Sequence, residues 1–454
     1  MDCKGEEAMS KEIIIKTNVG EVKGTLFSDV AIFKGIPYAK TNRFENPTSY
    51  IWDGVYDATD NEIDSYQFSS FYDNSLKKST FYDDEFRFDG KEYHYADSPM
   101  TLNIVKPNDA NNLPVLIFIH GGGFENGKVG EVPYGDTKEY AKRGIVFVSI
   151  GYRLNVFAMY RGENYGLKDQ VAAIKWVYDN IEAFGGDKEK ITICGQSAGA
   201  MSIQNLLYSD KLKGIVKGAI MMSGGGVIPS MMGPKPKEGS YEFWDKVRSD
   251  AGVTTDEELK NVDPKVLWDA WNKNIRSKGG YMYMQPAIDG EIVSDDPKKL
   301  VKENKHLDIP LMIGITSQDF VPILLYELAY NFAKRNHKYK RNDVYCYFFD
   351  RCPPGNKFKA FHAVDLWYLF GNMQKSWRPF DETDYKLCSL MCDYVANFVK
   401  TQNPNGDNLP SWPATSKKQK GMKLFDGVND EKLIYPCKAR RKVWKTLLFD
   451  KGPM

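Results

Sequence analysis

From residue 114 onward the sequence alternates between short apolar runs and longer stretches of helical spacing. PVLIFI (114–119), VFVSI (146–150), ITIC (191–194), AIMMS (219–223), PLMIGI (310–315) and VYCYFF (344–349) are strand-length. Between them, GLKDQVAAIKWVYDNIEAF (166–184) sets Val171, Ile174, Val177, Tyr178 and Ile181 at helical spacing. Strands of this length alternating with helices predict an α/β chain built on a mostly parallel, doubly wound sheet. The β-rich runs EIIIKT, EVKGTLF and VAIFKG open the chain. Residues 62–96, polar but rich in Phe and Tyr, read as a long loop with little regular structure. Residues 225–309 break the rhythm with several Pro and with helical pieces carrying Phe243, Trp244, Leu267, Trp268 and Trp271, and predict a helical insertion packed over one edge of the sheet. YKLCSLMCDYVANFVK (385–400) is the last helix candidate, stopped by TQNPNGD. No repeat or low-complexity linker divides the chain, so residues 1–454 are expected to form a single domain.

The charge excludes one class of partner. Lys+Arg number 61 and Asp+Glu 60 in 454 residues, for a formal charge of +1, whereas a nucleic-acid binder needs a basic surplus. No apolar segment approaches ~20 residues, so no membrane span is expected. The start, MDCKGEEAMSKE, lacks the apolar run of a signal peptide. Seven scattered Cys, an odd number, read as reduced thiols and point to a cytoplasmic chain. Cys388 and Cys392 stand i, i+4 on one helix, but no His or Cys lies near them to complete a metal site, so core packing is the expectation.

Two glycine motifs carry chemistry. GQSAG (195–199) has the form G-x-S-x-G and sits between a strand and an amphipathic stretch, AMSIQNLL, the setting of a nucleophile elbow. The tight turn lifts the Ser197 hydroxyl above the sheet, and the helix that follows aims N–H groups at the same spot. HGGGF (120–124) ends an earlier strand about 75 residues upstream. Its glycines let the backbone approach a ligand, so that N–H groups there and at Ala198 can face a developing oxyanion. A hydroxyl nucleophile needs a base and an orienting carboxylate. Asp319 lies just past PLMIGI. Among the histidines after Ser197, His306 and His337 sit in Lys-rich runs and read as solvated surface, whereas His362 in KAFHAVDLWYLFG is flanked by apolar residues. The order Ser197, Asp319, His362 is the α/β-hydrolase order. His120, beside the Gly run, reads as a loop-positioning neighbour, and His94 carries no pattern.

These residues resemble the type-B carboxylesterase family, which contains the cholinesterases. FGG-x4-ITICGQSAG (184–199) is similar to its nucleophile signature and DSPMTLNI (97–104) to its second signature. GIPYA (35–39), RFENP (43–47), GYRL (151–154), GLKDQ (166–170), PAIDG (286–290) and NPN (403–405) fall in the family's order. The resemblance implies an α/β-hydrolase fold with a deep gorge, the insertion covering it. It assigns Ser197 as nucleophile, Asp319 as acid, His362 as base, and Gly122, Gly123 and Ala198 as oxyanion donors. It gives Arg153 and Asp169 a structural ion pair.

Several positions depart from the family pattern. The acid is Asp followed by Phe, where Glu-Gly is usual, so its backbone must sit closer to His362. Pro99 stands where a disulfide Cys is common. Gln196 stands where the cholinesterases have Glu, which weakens the case for a cationic alcohol. Asp319 and His362 are only 43 residues apart, shorter than the family implies, so trimmed gorge-wall helices and a wider pocket are expected, and the resemblance is to a short, bacterial-type member. Phe124, Gln196, Phe320, Leu366 and Trp367 adjoin the motifs and are the candidates for contacting substrate. The function expected is hydrolysis of neutral carboxylic esters of small to medium acyl length, through an acyl-enzyme. The partner is a small-molecule ester, and no metal or organic cofactor is called for. A non-catalytic cholinesterase-like scaffold and a lipase are the rivals.

Overall fold

The apolar runs pair into one large sheet in the computed structural model, which describes residues 11–67, 81–86, 93–226, 233–355 and 358–435. Strands β1 (Lys11–Thr17), β2 (Gly20–Leu26) and β3 (Val30–Pro37) lead in antiparallel, with β4 (Val55–Asp57) beside β2. β5 (Ile63–Ser65) and β6 (His94–Ala96) form a separate parallel pair. β7 (Thr101–Pro107) joins β3 antiparallel to the body of the sheet. That body runs, in spatial order and all parallel, through β9 (Val146–Ile150), β8 (Leu113–Ile119), β10 (Gly186–Gln196), β11 (Val216–Met222), β12 (Leu311–Thr316), β13 (Val344–Phe349) and β14 (Met422–Phe425). The antiparallel β15 (Leu433–Ile434) closes the edge.

Parallel strands buried on both faces need helices on both faces, and the side chains of β8 divide accordingly. Val115, Ile117 and Ile119 face one cluster with Ile174 and Val177 of the helix Tyr165–Asn180 and Phe332 of the helix Pro322–Lys338. Leu116 and Phe118 face a second cluster with Trp367 of the helix Asp365–Phe370 and Met391 and Tyr394 of the helix Glu382–Thr401. Cys388 and Cys392 are buried in that second cluster, and the Cys392 thiol donates to the carbonyls of Tyr368 and Leu369. Cys3 and Cys437 lie outside the described residues.

A third cluster covers one end of the sheet. Phe243, Trp244, Trp268 and Trp271, on the helices Tyr241–Asp250 and Pro264–Ile275, pack with Phe44, Phe124, Phe157 and Ala198. Asp263 caps the second of these helices ahead of a first-turn Pro. Residues 227–232 of the stretch 225–309 lie outside the described residues.

Two readings of the sequence need correction. Residues 62–96, read as a long loop with little regular structure, carry β5, β6 and a short helix, Phe81–Phe86, and positions 68–80 and 87–92 of the stretch lie outside the described residues. What orders that helix is a distant partner: Glu85 is fully buried, with Arg378 Nε 2.7 Å from its carboxylate. His306 is not solvated surface. It is buried against Phe332, with Nε2 3.2 Å from Asn336 Oδ1, and burial together with the Arg341 guanidinium lowers its pKa to about 4. Its lysine neighbours in sequence point outward while it points in. His337 and His94 are exposed.

Arg153 and Asp169 form a fully buried bidentate pair, with Nη2–Oδ1 at 2.7 Å and Nε–Oδ2 at 2.8 Å. Arg153 Nη1 also donates to the Glu45 carbonyl, tying the amino-terminal loops to the helix Tyr165–Asn180. Breaking one half of such a pair leaves a buried charge unmatched. Asp169→Ala is therefore expected to destabilise the fold by about 3–5 kcal/mol, read as a loss of denaturant midpoint; a variant as stable as the parent would refute a structural role for the pair.

Candidate active site

Register sets the level at which the motif turns leave the sheet. Gly195 of β10 pairs with Ile119 of β8, and Gln196 pairs with Met222 of β11. The turns 120–123 and 196–198 therefore emerge side by side at the carboxyl ends of their strands, and Asp319 follows the end of β12. Ser197 holds φ 54° and ψ −120°, a strained backbone fixed by its own N–H donating to the Met222 carbonyl at 2.8 Å. The helix Ala198–Leu206 starts directly after it. Both motif glycines are forced. A Cβ at Gly199 would stand 2.1 Å from the Ile119 carbonyl oxygen, and one at Gly195 would stand 2.6 Å from the Gly199 backbone.

The glycine loop is folded back on itself. The N–H groups of Glu125 and Asn126 both donate to the Gly122 carbonyl, and Gly122 has φ 103° with room for no side chain against the Asn126 carbonyl. Gln67 bonds Gly127 through both its amide N–H and its carbonyl, and Asp64 accepts from the Val129 N–H, so β5 and the residues after it pin the loop. The His120 ring stacks on Tyr152 at 4.4 Å, and the Tyr152 hydroxyl donates to the His120 carbonyl. Among the described residues, no acceptor is bonded to the N–H of Gly122, Gly123 or Ala198.

Asp319 and His362 meet through a backbone device. Gln318 and Phe361 form an isolated parallel bridge, with Gln318 N–H on the Ala360 carbonyl at 2.9 Å and Lys359 N–H on Gln318 Oε1 at 2.8 Å. The next residue on each segment is Asp319 on one side and His362 on the other. Their side chains meet at 2.7 Å, Nδ1 to Oδ1. Because a carboxylate only accepts, Nδ1 carries a proton, and the ring presents Nε2 on the side away from Asp319. The Asp319 carboxylate also accepts from the Thr316 hydroxyl and the Phe320 N–H. Burial by itself would raise its pKa; the adjoining imidazole, with the Ser223 hydroxyl and the Phe320 N–H, outweighs burial and holds it below the usual aspartate value.

His362 Nε2 faces the Gln196 amide nitrogen at 3.2 Å, and no hydrogen bond joins it to Ser197 Oγ among the described residues. Gln196 is thus a neighbour of the imidazole, lodged between it and Gly121. Phe320 lies 4.3 Å from the His362 ring and is 58% exposed, while Phe124 is buried in the third cluster. Leu366 and Trp367 are core residues. The Trp367 indole donates to Glu85, so its polar edge serves the helix Phe81–Phe86. Two residues near the site escape a reading of the sequence. Tyr82 reaches Phe320 at 6.2 Å, and Met284 places its methyl nearest to Gly123. The aromatic run around Tyr82 was visible but has no period to give it a face.

Asp365 is a further carboxyl at the site's base. It is fully buried, accepts from the Tyr347 hydroxyl at 2.8 Å through Oδ2, and has no side-chain partner for Oδ1 among the described residues. Tyr347 reaches it by passing over Gly314, where any Cβ would collide with the ring. Among the described residues no group of three or more His, Cys, Asp or Glu is arranged to hold a metal, and no helix is long and apolar enough to cross a membrane.

A largely parallel sheet with helices on both faces, and a serine on a strained strand-to-helix turn, define an α/β-hydrolase. The comparisons agree. A family model described as Carboxylesterase family matches residues 11–335 and 323–433, and the chain belongs to that family. It is 29% identical to the para-nitrobenzyl esterase of Bacillus subtilis (strain 168), over 91% of this chain and 94% of that protein. A solved para-nitrobenzyl esterase structure superimposes with a TM-score of 0.79 at 26% identity, covering 95% of this chain and 99% of that one. A carboxylesterase of Geobacillus stearothermophilus does so at 0.77 and 27% identity, covering 95% and 99%. The protein is a carboxylic ester hydrolase with the α/β-hydrolase fold.

Burial, and secondarily Asp319, raise the Asp365 pKa to about 6. A carboxyl that holds its proton more tightly when folded lowers stability as pH rises from its unfolded pKa to its folded one. Here the loss runs from about pH 4 to about pH 6 and is complete above that. Asp365→Asn removes the titration. Its stability relative to the parent is expected to climb over that window, by up to about 3 kcal/mol, in thermal melts at stepped pH; an offset that does not change with pH would contradict this.

Proposed function

We propose that Ser197, His362 and Asp319 form the catalytic triad and that ester cleavage proceeds through an acyl-enzyme. The observation that carries this reading is the 2.7 Å contact between Asp319 and His362, which holds Nδ1 against the acid and turns Nε2 towards the turn bearing Ser197. Ser197 Oγ attacks the ester carbonyl while His362 Nε2 takes its proton. Asp319 holds the imidazole by Nδ1 and stabilises the imidazolium that forms. The carbonyl oxygen, now negative, sits against the N–H groups of Gly122, Gly123 and Ala198. Each donor contributes roughly 10²–10³ in rate in sites of this kind. The imidazolium returns the proton to the departing alkoxide, the alcohol leaves, and water repeats the sequence on the acyl-serine.

At rest the Gln196 amide donates to Nε2, so a small turn of the imidazole or of Ser197 is needed to hand that nitrogen to the hydroxyl. The site then has an apolar rim, with Phe320 against His362 and Met284 by the glycine loop. Beside the imidazole Gln196 is neutral. Both features favour a small neutral ester.

Ser197→Ala is expected to abolish turnover of p-nitrophenyl acetate and butyrate, and an organophosphate should label Ser197 in the parent. Labelling at another residue, or activity retained in Ser197→Ala, would overturn the assignment. The reading also has a pH consequence. His362 must be neutral to act, so kcat/KM falls on the acid side. Gln196→Glu puts a carboxylate next to the imidazole and favours its charged form. The acid limb should move up by about one pH unit, with kcat/KM near pH 6 reduced about tenfold and the alkaline plateau little changed. An unmoved limb would remove Gln196 from the imidazole's surroundings during turnover.

A further inference from the structure

The two edges of the large sheet differ. β15, at one end, is the two residues Leu433–Ile434. β1, at the other, runs seven residues, Lys11–Thr17, contains no Pro, and pairs with β2 residue for residue without a bulge. Among the described residues no strand pairs with the outer side of β1. A long regular edge is a template for a further strand.

Register shows which main-chain groups are open there. The odd-numbered residues along β2 turn towards β3 and β4: the Phe27 N–H donates to the Val30 carbonyl, the Glu21 N–H to the Gly54 carbonyl, and the Lys23 carbonyl accepts from the Ala58 N–H. The even-numbered residues of β2 therefore bond β1, where their partners are Lys11, Ile13, Ile15 and Thr17. The N–H and C=O groups of Glu12, Ile14 and Lys16 point the other way, to the open edge, and among the described residues nothing bonds them.

The side chains make this segment its own complement. Glu12, Ile14 and Lys16 are exposed on one face of the sheet, Ile14 by 53%, while Ile13 and Ile15 pack against the first apolar cluster. In an antiparallel pairing of two copies about Ile14, Ile14 meets Ile14, Glu12 meets Lys16 and Ile13 meets Ile15. The Ile14 and Glu12–Lys16 pairs are those whose main-chain groups face the edge, so about six hydrogen bonds form, and Ile13 and Ile15 fall at the closer, non-hydrogen-bonded positions. Other two-fold centres lose this match. Centring on Glu12 sets two carboxylates opposite each other, and centring on Lys16 sets two ammonium groups opposite. Centring on Ile13 or Ile15 sets Ile14 opposite a charge. Glu12 lies 3.3 Å from Lys23 of its own chain but stays largely exposed, with room to accept from a second ammonium, and Lys16 has no ion pair among the described residues.

We propose that a second copy of this chain docks antiparallel on β1, about a two-fold axis at Ile14, and joins two sheets into one. The contact places the same surface on both copies and uses the one long edge of each, so it closes at two. Ser197 follows β10, six strands from β1 and roughly 30 Å across the sheet, so the interface is separate from the ester site.

A single strand pair makes a small interface, and the affinity expected is modest. Sedimentation velocity on the full chain from about 1 to 300 µM should show monomer giving way to dimer, with Kd of about 1–100 µM. Ile14→Pro removes an N–H that serves only the open edge, so it costs no hydrogen bond within the sheet. It should remain monomeric over that range, with the parent's Tm and turnover of p-nitrophenyl butyrate. Charge reversal tests the register, and does so even if the proline variant folds poorly. Glu12→Lys and Lys16→Glu should each self-associate at least about tenfold more weakly, and an equimolar mixture of the two should associate about as tightly as the parent. A parent that stays monomeric, a dimer that survives Ile14→Pro, undiminished self-association of either reversal, or no association in the mixture would each overturn the proposal.

Discussion

The approach of the helix Ala198–Leu206 to the end of β8 is the contact on which the site depends. It is possible because Gly199 presents only a hydrogen to the Ile119 carbonyl, and Gly195 only a hydrogen to Gly199. A single methyl at either place would separate helix from strand. The helix start would then no longer sit beside the glycine loop, and its free N–H groups would face elsewhere. The same closeness leaves Ser197 no relaxed backbone to adopt. Its φ of 54° is the consequence of a strand that must turn into a helix within one residue. Stability is given up locally so that one hydroxyl stands clear of the sheet, and the wide apolar core beneath offsets it.

The second constraint is the bridge between Gln318 and Phe361. An aspartate is one methylene shorter than a glutamate, and a shorter side chain can reach the imidazole only if the two backbones run close. The bridge supplies that closeness directly, pairing the residue before the acid with the residue before the histidine. It also makes the short separation of 43 residues workable. Between β12 and the bridge the chain contains the helix Pro322–Lys338 and β13, which is one helix-and-strand step of the sheet. The next parallel strand therefore returns the chain to the same end at which it left.

Much of this could be read from residues in order. Runs such as VFVSI and VYCYFF are strands because they are short, apolar and bounded, and the structure gives them those bounds. GQSAG was interpretable because its neighbours were a strand and an amphipathic stretch. The failures share a cause: they concern residues whose environment is made by distant parts of the chain. The helix Phe81–Phe86 has no periodicity to announce it, and its order comes from Glu85 meeting Arg378, 293 positions away. His306 has lysine neighbours in sequence, but Phe332 and Asn336 are what it touches. Leu366 and Trp367, which adjoin the histidine segment along the chain, are buried in the second cluster.

The charges around His362 bear on what the site can accept. Asp319 supplies one negative charge, on the Nδ1 side, and its hydrogen bonds keep it ionised. On the Nε2 side the neighbour is an amide, and the adjoining ring is Phe320. A site with a carboxylate on the Nε2 side would attract a cationic alcohol, and would also favour the imidazolium that cannot act as base. An amide there does neither. It places a neutral group 3.2 Å from Nε2, and it offers no charge to a substrate. The proposed preference for neutral esters and the proposed readiness of His362 as a base thus have the same origin in one side chain.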